Sequence, residues 1–212
     1  RIKRCKRRIQ CNKNHKVIMS FINEFQLSQY RQKTKTFSAD NIVNLNESYS
    51  RDKNKPMVFL SHKHDEFSIL QDVIAFLKDE GVNIYVDWMD ESMPKNTNAT
   101  TALKLKEKIE TCDKFILVAT QSAIDSKWCN WELGLGDAAK YINNIALFPI
   151  NKSSQSFYGS EYLRIYPRIE YQDGTTKYTS GFYIPSGYYV IYPVDESGNS
   201  IIYSLKDWLK RK

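Results

Sequence analysis

From residue 57 onward, short apolar runs alternate with longer stretches whose apolar residues recur every three or four positions. "MVFLS" (57–61) is a continuous apolar run of strand length, fit for a strand buried on both faces. "DEFSILQDVIAFLKDEG" (65–81) places Leu70, Val73, Ile74 and Leu77 on one helical face, with acids at its start and Gly81 as its stop. "VNIYVDW" (82–88) reads as a second strand. "MDESMPKNTNATT" (89–101) is a polar loop interrupted by Pro94. "ALKLKEKIETC" (102–112) aligns Ala102, Leu105, Ile109 and Cys112 as a helix. "KFILVAT" (114–120) is the third strand. A helix is expected to follow it to about Ile142, and "IALFPI" (145–150) is the fourth strand. This alternation predicts an α/β fold: a five-stranded parallel sheet with helices on both faces, in the flavodoxin-like order 2-1-3-4-5. In that order the topological switch falls between strands 1 and 3, and ligands bind beyond the carboxyl ends there.

The two flanks have a different texture. Residues 1–56 are read as a basic N-terminal arm, in which Val17, Ile18, Phe21, Ile22 and Phe25 recur at helical spacing. "RDKNKP" (51–56) reads as a linker, so the domain is expected over 57–212. Residues 151–212 hold ten of the fourteen tyrosines and five of the eight glycines. There the fifth strand is expected within 188–193, after a turn at Ser186-Gly187. A last helix is expected at 204–210, and residues 151–187 are expected to be a Tyr-rich insertion on the domain edge.

Charge sharpens the division. The net charge is +7, yet residues 1–56 hold fourteen Lys or Arg against four Asp or Glu, and the remainder is net acidic. A basic run without interleaved aromatics is read as a solvated arm rather than a nucleic-acid or membrane contact. No window approaches eighteen consecutive apolar residues, so no transmembrane helix is expected, and no signal-peptide pattern is visible. The four cysteines form no CxxC pair. Cys112 and Cys129 fall in apolar-periodic segments and are expected as buried thiols, which fits a reducing cytoplasm.

Candidate chemistry gathers in "SKWCNWELGLGD" (126–137). Trp128 and Glu132 are four residues apart and share a helix face. An aromatic plane beside a carboxylate suits a flat cationic ring joined to a sugar: the ring stacks, and the carboxylate stabilises positive charge as the glycosidic bond breaks. A packed tryptophan and a solvated glutamate fit the same spacing. Gly134 and Gly136 each cost about 1 kcal/mol relative to Ala in a helix, which close approach of the helix to the sheet would explain. His62 and His64 form an HxH pair, but no third ligand follows at a sensible spacing, so no metal is expected. The G-L-G of 134–136 lies within a helix and is not a phosphate loop. Cys129 has no visible His partner and is read as inert.

The order of blocks adds what single motifs lack. "VFLSHKHDE", "IYVDW", a proline-bearing loop and "FILVATQSAIDSKWCNWEL" together resemble a bacterial TIR (Toll/interleukin-1 receptor) domain over about residues 57–150, with 188–210 completing it. The wording of "SKWCNWELGLGD" and the tail resemble the stand-alone TIR proteins of Thoeris-type anti-phage systems. The resemblance implies an NAD-cleaving enzyme, a glycohydrolase or cyclase, that makes an ADP-ribose-derived signalling nucleotide with NAD+ as substrate and no cofactor. It assigns the catalytic carboxylate to Glu132 and its aromatic neighbour to Trp128. It places Ser61, His62, Asp87 and Trp88 at the substrate and the mobile BB loop at 88–100. It also implies homo-oligomers through TIR–TIR contacts, a separate effector reached through the product, and a phage-derived trigger. A non-catalytic TIR–TIR scaffold is the alternative.

Overall fold

A computed structural model describes residues 7–10, 22–33, 52–87, 98–151 and 161–211. Its centre is four strands: β3 (Met57–Ser61), β4 (Asn83–Tyr85), β5 (Lys114–Ala119) and β6 (Ile145–Asn151). β3 lies between β4 and β5, β6 follows β5, and all these pairings are parallel. Every residue of β3 and β5 is buried, as their unbroken apolar runs require.

Side-chain alternation sends these strands' residues to two separate cores. On one face Val58, Leu60, Ile116, Val118 and Phe148 meet Leu70, Val73, Ile74 and Leu77 of α2 (Phe67–Asp79). On the other, Phe59, Phe115 and Leu117 meet Leu105 and Ile109 of α3 (Ala99–Thr111), and Cys129 and Leu133 of α5 (Lys127–Lys140). Helices therefore cover both faces of a parallel sheet. α2 ends where Gly81 takes φ +84°, a conformation costly for any residue with a Cβ. α3 begins earlier than its apolar pattern suggests because Asn98 and Thr101 form a reciprocal capping box.

Three expectations need correction. The fifth parallel strand is not within 188–193. It is β7 (Arg168–Gln172), which pairs parallel with β6 and lies inside the stretch read as an insertion. The segment expected in that place is β8 (Gly187–Ile191), antiparallel to β7, and β9 (Asn199–Ser204) runs antiparallel to β8. Secondly, the helix expected to run unbroken to about Ile142 is two helices. α4 (Gln121–Asp125) and α5 are separated by Ser126 in extended conformation, whose side chain caps α5. Thirdly, the N-terminal periodicity is misplaced. Ile22 lies in β2 (Ile22–Asn23), and Phe25 is 70 % exposed in α1 (Glu24–Lys33). Val17, Ile18 and Phe21 lie outside the described residues. The anchors of α1 are Leu27, Tyr30 packed edge-on to Phe76, and Arg31 paired with buried Asp72 at 2.9 Å.

The described pieces of the arm join the sheet. β2 pairs parallel with the end of β6, and β1 (Arg8–Gln10) pairs antiparallel with β9, giving the order β1-β9-β8-β7-β6-β5-β3-β4. The expected linker is likewise held: Asn83 Nδ2 donates to the carbonyls of Asp52 and Lys55, at 3.0 and 3.1 Å. The terminal helix appears as expected, as α6 (Leu205–Lys210), whose Trp208 is fully buried and donates to the Asn143 carbonyl at 3.0 Å. Beside it lies a charged group inside the fold. Lys114 is buried at the start of β5, bonded to Asn144 and 4.8 Å from the centre of the Trp208 ring. Burial pulls its pKa down to about 8. Among the described residues no helix is long and apolar enough to cross a membrane.

Candidate active site

The chain leaves β3 toward β4 on one side and returns to β5 on the other, so the sheet switches direction at β3. The carboxyl ends of β3, β4 and β5 there bring together residues far apart in sequence. Ser61 is the last residue of β3, His62 follows it, and Asp87 lies just beyond β4. α5 enters from after β5 and carries Trp128 and Glu132. Two contacts fix this helix to the end of β3. Ser61 Oγ donates to Glu132 Oε2, and the Cys129 thiol donates to the His62 carbonyl at 3.3 Å.

Close approach of α5 to the sheet depends on Gly136. A Cβ there would lie 2.8 Å from the Phe115 ring, closer than real Cβ contacts. Gly134 has nothing within 4 Å of an added Cβ, so close approach does not explain that glycine. The G-L-G sequence lies inside α5, as expected.

Glu132 is 2 % exposed. Burial, with the nearby Asp87 charge, pushes its pKa up to about 8, against the Ser61 hydroxyl, His64 and Trp128, which favour the carboxylate. The carboxyl of the ligand-free protein is therefore mostly protonated at neutral pH. The reading of Glu132 as a solvated helix glutamate is excluded. Trp128 is half-buried against the core, its ring 5.0 Å from that of Trp131, and its indole nitrogen is buried. That N–H makes no hydrogen bond of ordinary geometry, yet it acts on Glu132 in favour of the ionised form.

The two histidines divide by environment. Burial drives the pKa of His62 down to about 4, so its imidazole is neutral at pH 7. His64 is raised, first by its hydrogen bond to Asp87, with Nε2 3.3 Å from Oδ2. Burial pushes the Cys129 thiol up to about 11, which leaves it un-ionised at neutral pH, as the inert reading requires. Cys112 and Cys129 are both buried and not in a disulfide.

Of the six residues expected at the site, five converge: Ser61, His62, Asp87, Trp128 and Glu132. Trp88 lies outside the described residues, as does the BB loop up to residue 97. The fold adds three that the sequence did not single out for this site. His64 joins through Asp87. Thr120, just after β5, caps α4 and donates to Glu66, which bridges the loops on either side of the switch point. Asp87 also stands beside the two histidines as a third possible ligand, which spacing along the chain cannot reveal.

A three-layer fold switching at β3, with a buried carboxyl and a half-buried tryptophan beyond the carboxyl ends of the strands, places the candidate site where open α/β sheets bind their ligands. The family model for the TIR domain matches residues 58–181, and this chain belongs to the TIR-domain family. It is 30 % identical over 131 residues, 59 % of this chain and 67 % of the relative, to a Bacillus cereus (strain MSX-D12) protein named "Probable 3' cyclic ADP-D-ribose synthase ThsB'". It is 28 % identical over 102 residues to a Cytobacillus dafuensis protein named "Putative cyclic ADP-D-ribose synthase TIR2", spanning 47 % of this chain and 26 % of that one.

Proposed function

We propose that this chain is a TIR-type enzyme that cleaves NAD+ at the nicotinamide–ribose bond and converts the remainder into a cyclic ADP-ribose-type signalling nucleotide in anti-phage defence. The observation that carries the reading is Glu132: a carboxyl enclosed at the switch point, bonded to Ser61, with Trp128 one turn before it.

The chemistry follows from the surroundings of that group. NAD+ brings a positively charged pyridinium, which favours the carboxylate over the neutral carboxyl when it binds beside Glu132. As the glycosidic bond lengthens, charge moves from the ring to the ribose, and nicotinamide leaves neutral without a general acid. A buried carboxylate fixed by the Ser61 hydroxyl stabilises the sugar cation far better than a solvated one. Neutral His62 adds no opposing positive charge. Burial first, and then the Asp87 charge, hold the Glu132 pKa up, so the carboxylate forms chiefly when a cation arrives. Trp128 offers the stacking plane. No cofactor is required. Water capturing the cation gives ADP-ribose, and capture by a nucleophile in the substrate's own adenosine half gives a cyclic product with loss of a proton. The names of both relatives support cyclisation.

The wider reading includes assembly. The polar, proline-bearing loop after Asp87 serves as a lid ordered by a neighbouring copy. Turnover then rises more than linearly with protein concentration. A phage-derived trigger switches the enzyme on, and its product reaches a separate effector. The test is nicotinamide release from NAD+ by the purified full chain, with and without lysate from infected cells, followed by mass spectrometry of the products. Absence of release under both conditions, with the protein folded, would favour the scaffold reading. Specific activity independent of concentration over a wide range would remove the shared lid.

A further inference from the structure

The mouth of the crevice holds a group of side chains that the proposed reaction does not need together. His62 and His64 leave the end of β3 on alternate positions, and Asp87 arrives from the end of β4. Each offers a ring nitrogen or carboxylate oxygen, and these atoms all lie within 4.8 Å of one another. We infer that His62, His64 and Asp87 form a binding site for one transition-metal dication of the zinc class, set at the mouth of the crevice beside Glu132.

Three observations carry this. The first is the held ring of His62. It is 4 % exposed, and its Nδ1 lies 3.3 Å from the Leu60 carbonyl. A proton on Nδ1 donated to that carbonyl puts the lone pair on Nε2. This is the arrangement that fixes ring and tautomer in metal-binding histidines. The second is spacing. Tetrahedral bonds of 2.0–2.1 Å place ligand atoms about 3.4 Å apart, and His64 Nε2 already stands 3.3 Å from Asp87 Oδ2. Only a modest closing onto His62 remains. The His64 side chain is 55 % exposed, so it can make that movement without unpacking the core. The third is charge and donor type. Asp87 supplies a carboxylate, and a cation at the mouth would also favour ionisation of Glu132, which lies close enough to act on both Asp87 and His64. Two imidazoles and a carboxylate suit zinc, cobalt or nickel, whereas calcium and magnesium take all-oxygen shells. Three protein ligands leave one position open. Binding forms three dative bonds, and the proton shared between His64 and Asp87 goes to solvent.

The site itself does not depend on the NAD reading; its consequence does. An ion there puts two positive charges beside the place where the ribosyl cation must form, and so it silences the enzyme. The experiment uses the full chain stripped of metal by a chelator. Calorimetric titration with Zn2+ should give one ion per chain, and Co2+ should produce the visible absorption bands of a four-coordinate ion. His64→Ala and Asp87→Asn should each weaken Zn2+ binding by more than the 10–100-fold that even a supporting residue is worth, and should abolish the Co2+ bands. His64→Ala removes an exposed ring, and a melting curve confirms that it folds. No saturable binding overturns the site, and equal Zn2+ affinity in the wild type and both variants also overturns it and points to donors elsewhere, such as Cys5, Cys11 and His15. In the activity arm, nicotinamide release should fall with half-loss at the calorimetric Kd, and that midpoint should rise in His64→Ala by the same factor as its Kd. Bound Zn2+ without lowered release overturns the silencing alone. A protein that binds Zn2+ but never releases nicotinamide, even when metal-free and triggered, refutes the NAD reading and leaves the site standing.

Discussion

Glu132→Gln separates what the carboxyl does for catalysis from what it costs the fold. In the unfolded chain this group titrates near the ordinary glutamate value of 4.5, and in the fold its pKa is raised to about 8. Between those pH values the folded protein binds more protons than the unfolded one, so stability falls as pH rises from 4.5 to 8 and the loss is complete above 8. A shift of that size corresponds to on the order of 5 kcal/mol. Gln is the same shape and never ionises. The stability of Glu132→Gln relative to wild type should therefore grow steadily between pH 4.5 and pH 8, and then level off. Activity should move the other way. With a pKa of about 8, roughly a tenth of free molecules carry the carboxylate at pH 7. The kcat/KM of the wild type should then rise with pH and level off above about 8. The variant should lose at least the 10²–10³ in rate associated with one charge-stabilising group in an active site. Urea melts of both proteins across the pH series, with nicotinamide release measured in the same buffers, test both halves. Parallel stability curves would show that Glu132 is not buried as described. Full activity in a triggered Glu132→Gln enzyme would remove it from catalysis.

Three further outcomes follow from the packing. Gly136→Ala should destabilise by about 1–3 kcal/mol, as overpacking against Phe115 does, whereas Gly134→Ala, with open space around it, should stabilise by up to about 1 kcal/mol; chemical denaturation of both variants measures the contrast, and equal effects would refute the close approach at Gly136. Lys114 loses its proton more readily in the fold than in the unfolded chain, so wild-type stability should rise as pH climbs from about 8 toward the ordinary lysine value of 10.5, and Lys114→Met should remove that rise in the same melts. Trp128→Ala should lower both turnover and stability, the latter by about 3–5 kcal/mol, while Trp128→Phe keeps a stacking face and much of the rate; unchanged KM and kcat in the Ala variant would remove Trp128 from the substrate.

The parts of the fold legible in the sequence are those where one physical signal dominates. β3, β5 and β6 announce themselves as short apolar runs, because strands covered on both faces have no polar side to show. α2 is legible because its one buried stripe repeats at helical spacing. β7 was hidden by its charges. Arg168 and Glu170 stand two residues apart on one side of the strand and bond to each other, and Glu170 is buried by virtue of that pair. Read singly, they look like a solvated loop. The break between α4 and α5 was hidden differently: Thr120 and Ser126 are both capping residues, and a helix pattern read only from apolar spacing runs straight through the second. At the site, Trp128 and Glu132 follow from local spacing. Ser61, His62 and Asp87 rested on the family resemblance. Their partners His64, Glu66 and Thr120 rest on contacts between chain segments 23 and 54 residues apart, which no local pattern encodes.

The pairing of β1 with β9 sets a clock on the protein's birth. Ile9 stands opposite Ser200, so nearly two hundred residues must be made between one partner and the other. At a synthesis rate of about 5–20 residues per second, the first strand waits roughly 10–40 s for its mate. Throughout that interval a strongly basic, unpaired segment trails from the ribosome while β3 to β6, which carry the carboxyl, the aromatic and the histidines, are already emerged. The crevice can thus assemble before the sheet is closed. The arm's positive charge keeps the waiting strand soluble beside other nascent chains. The last strand to arrive then leaves no free edge at β9, and the sheet acquires its final order only after residue 204 has been made.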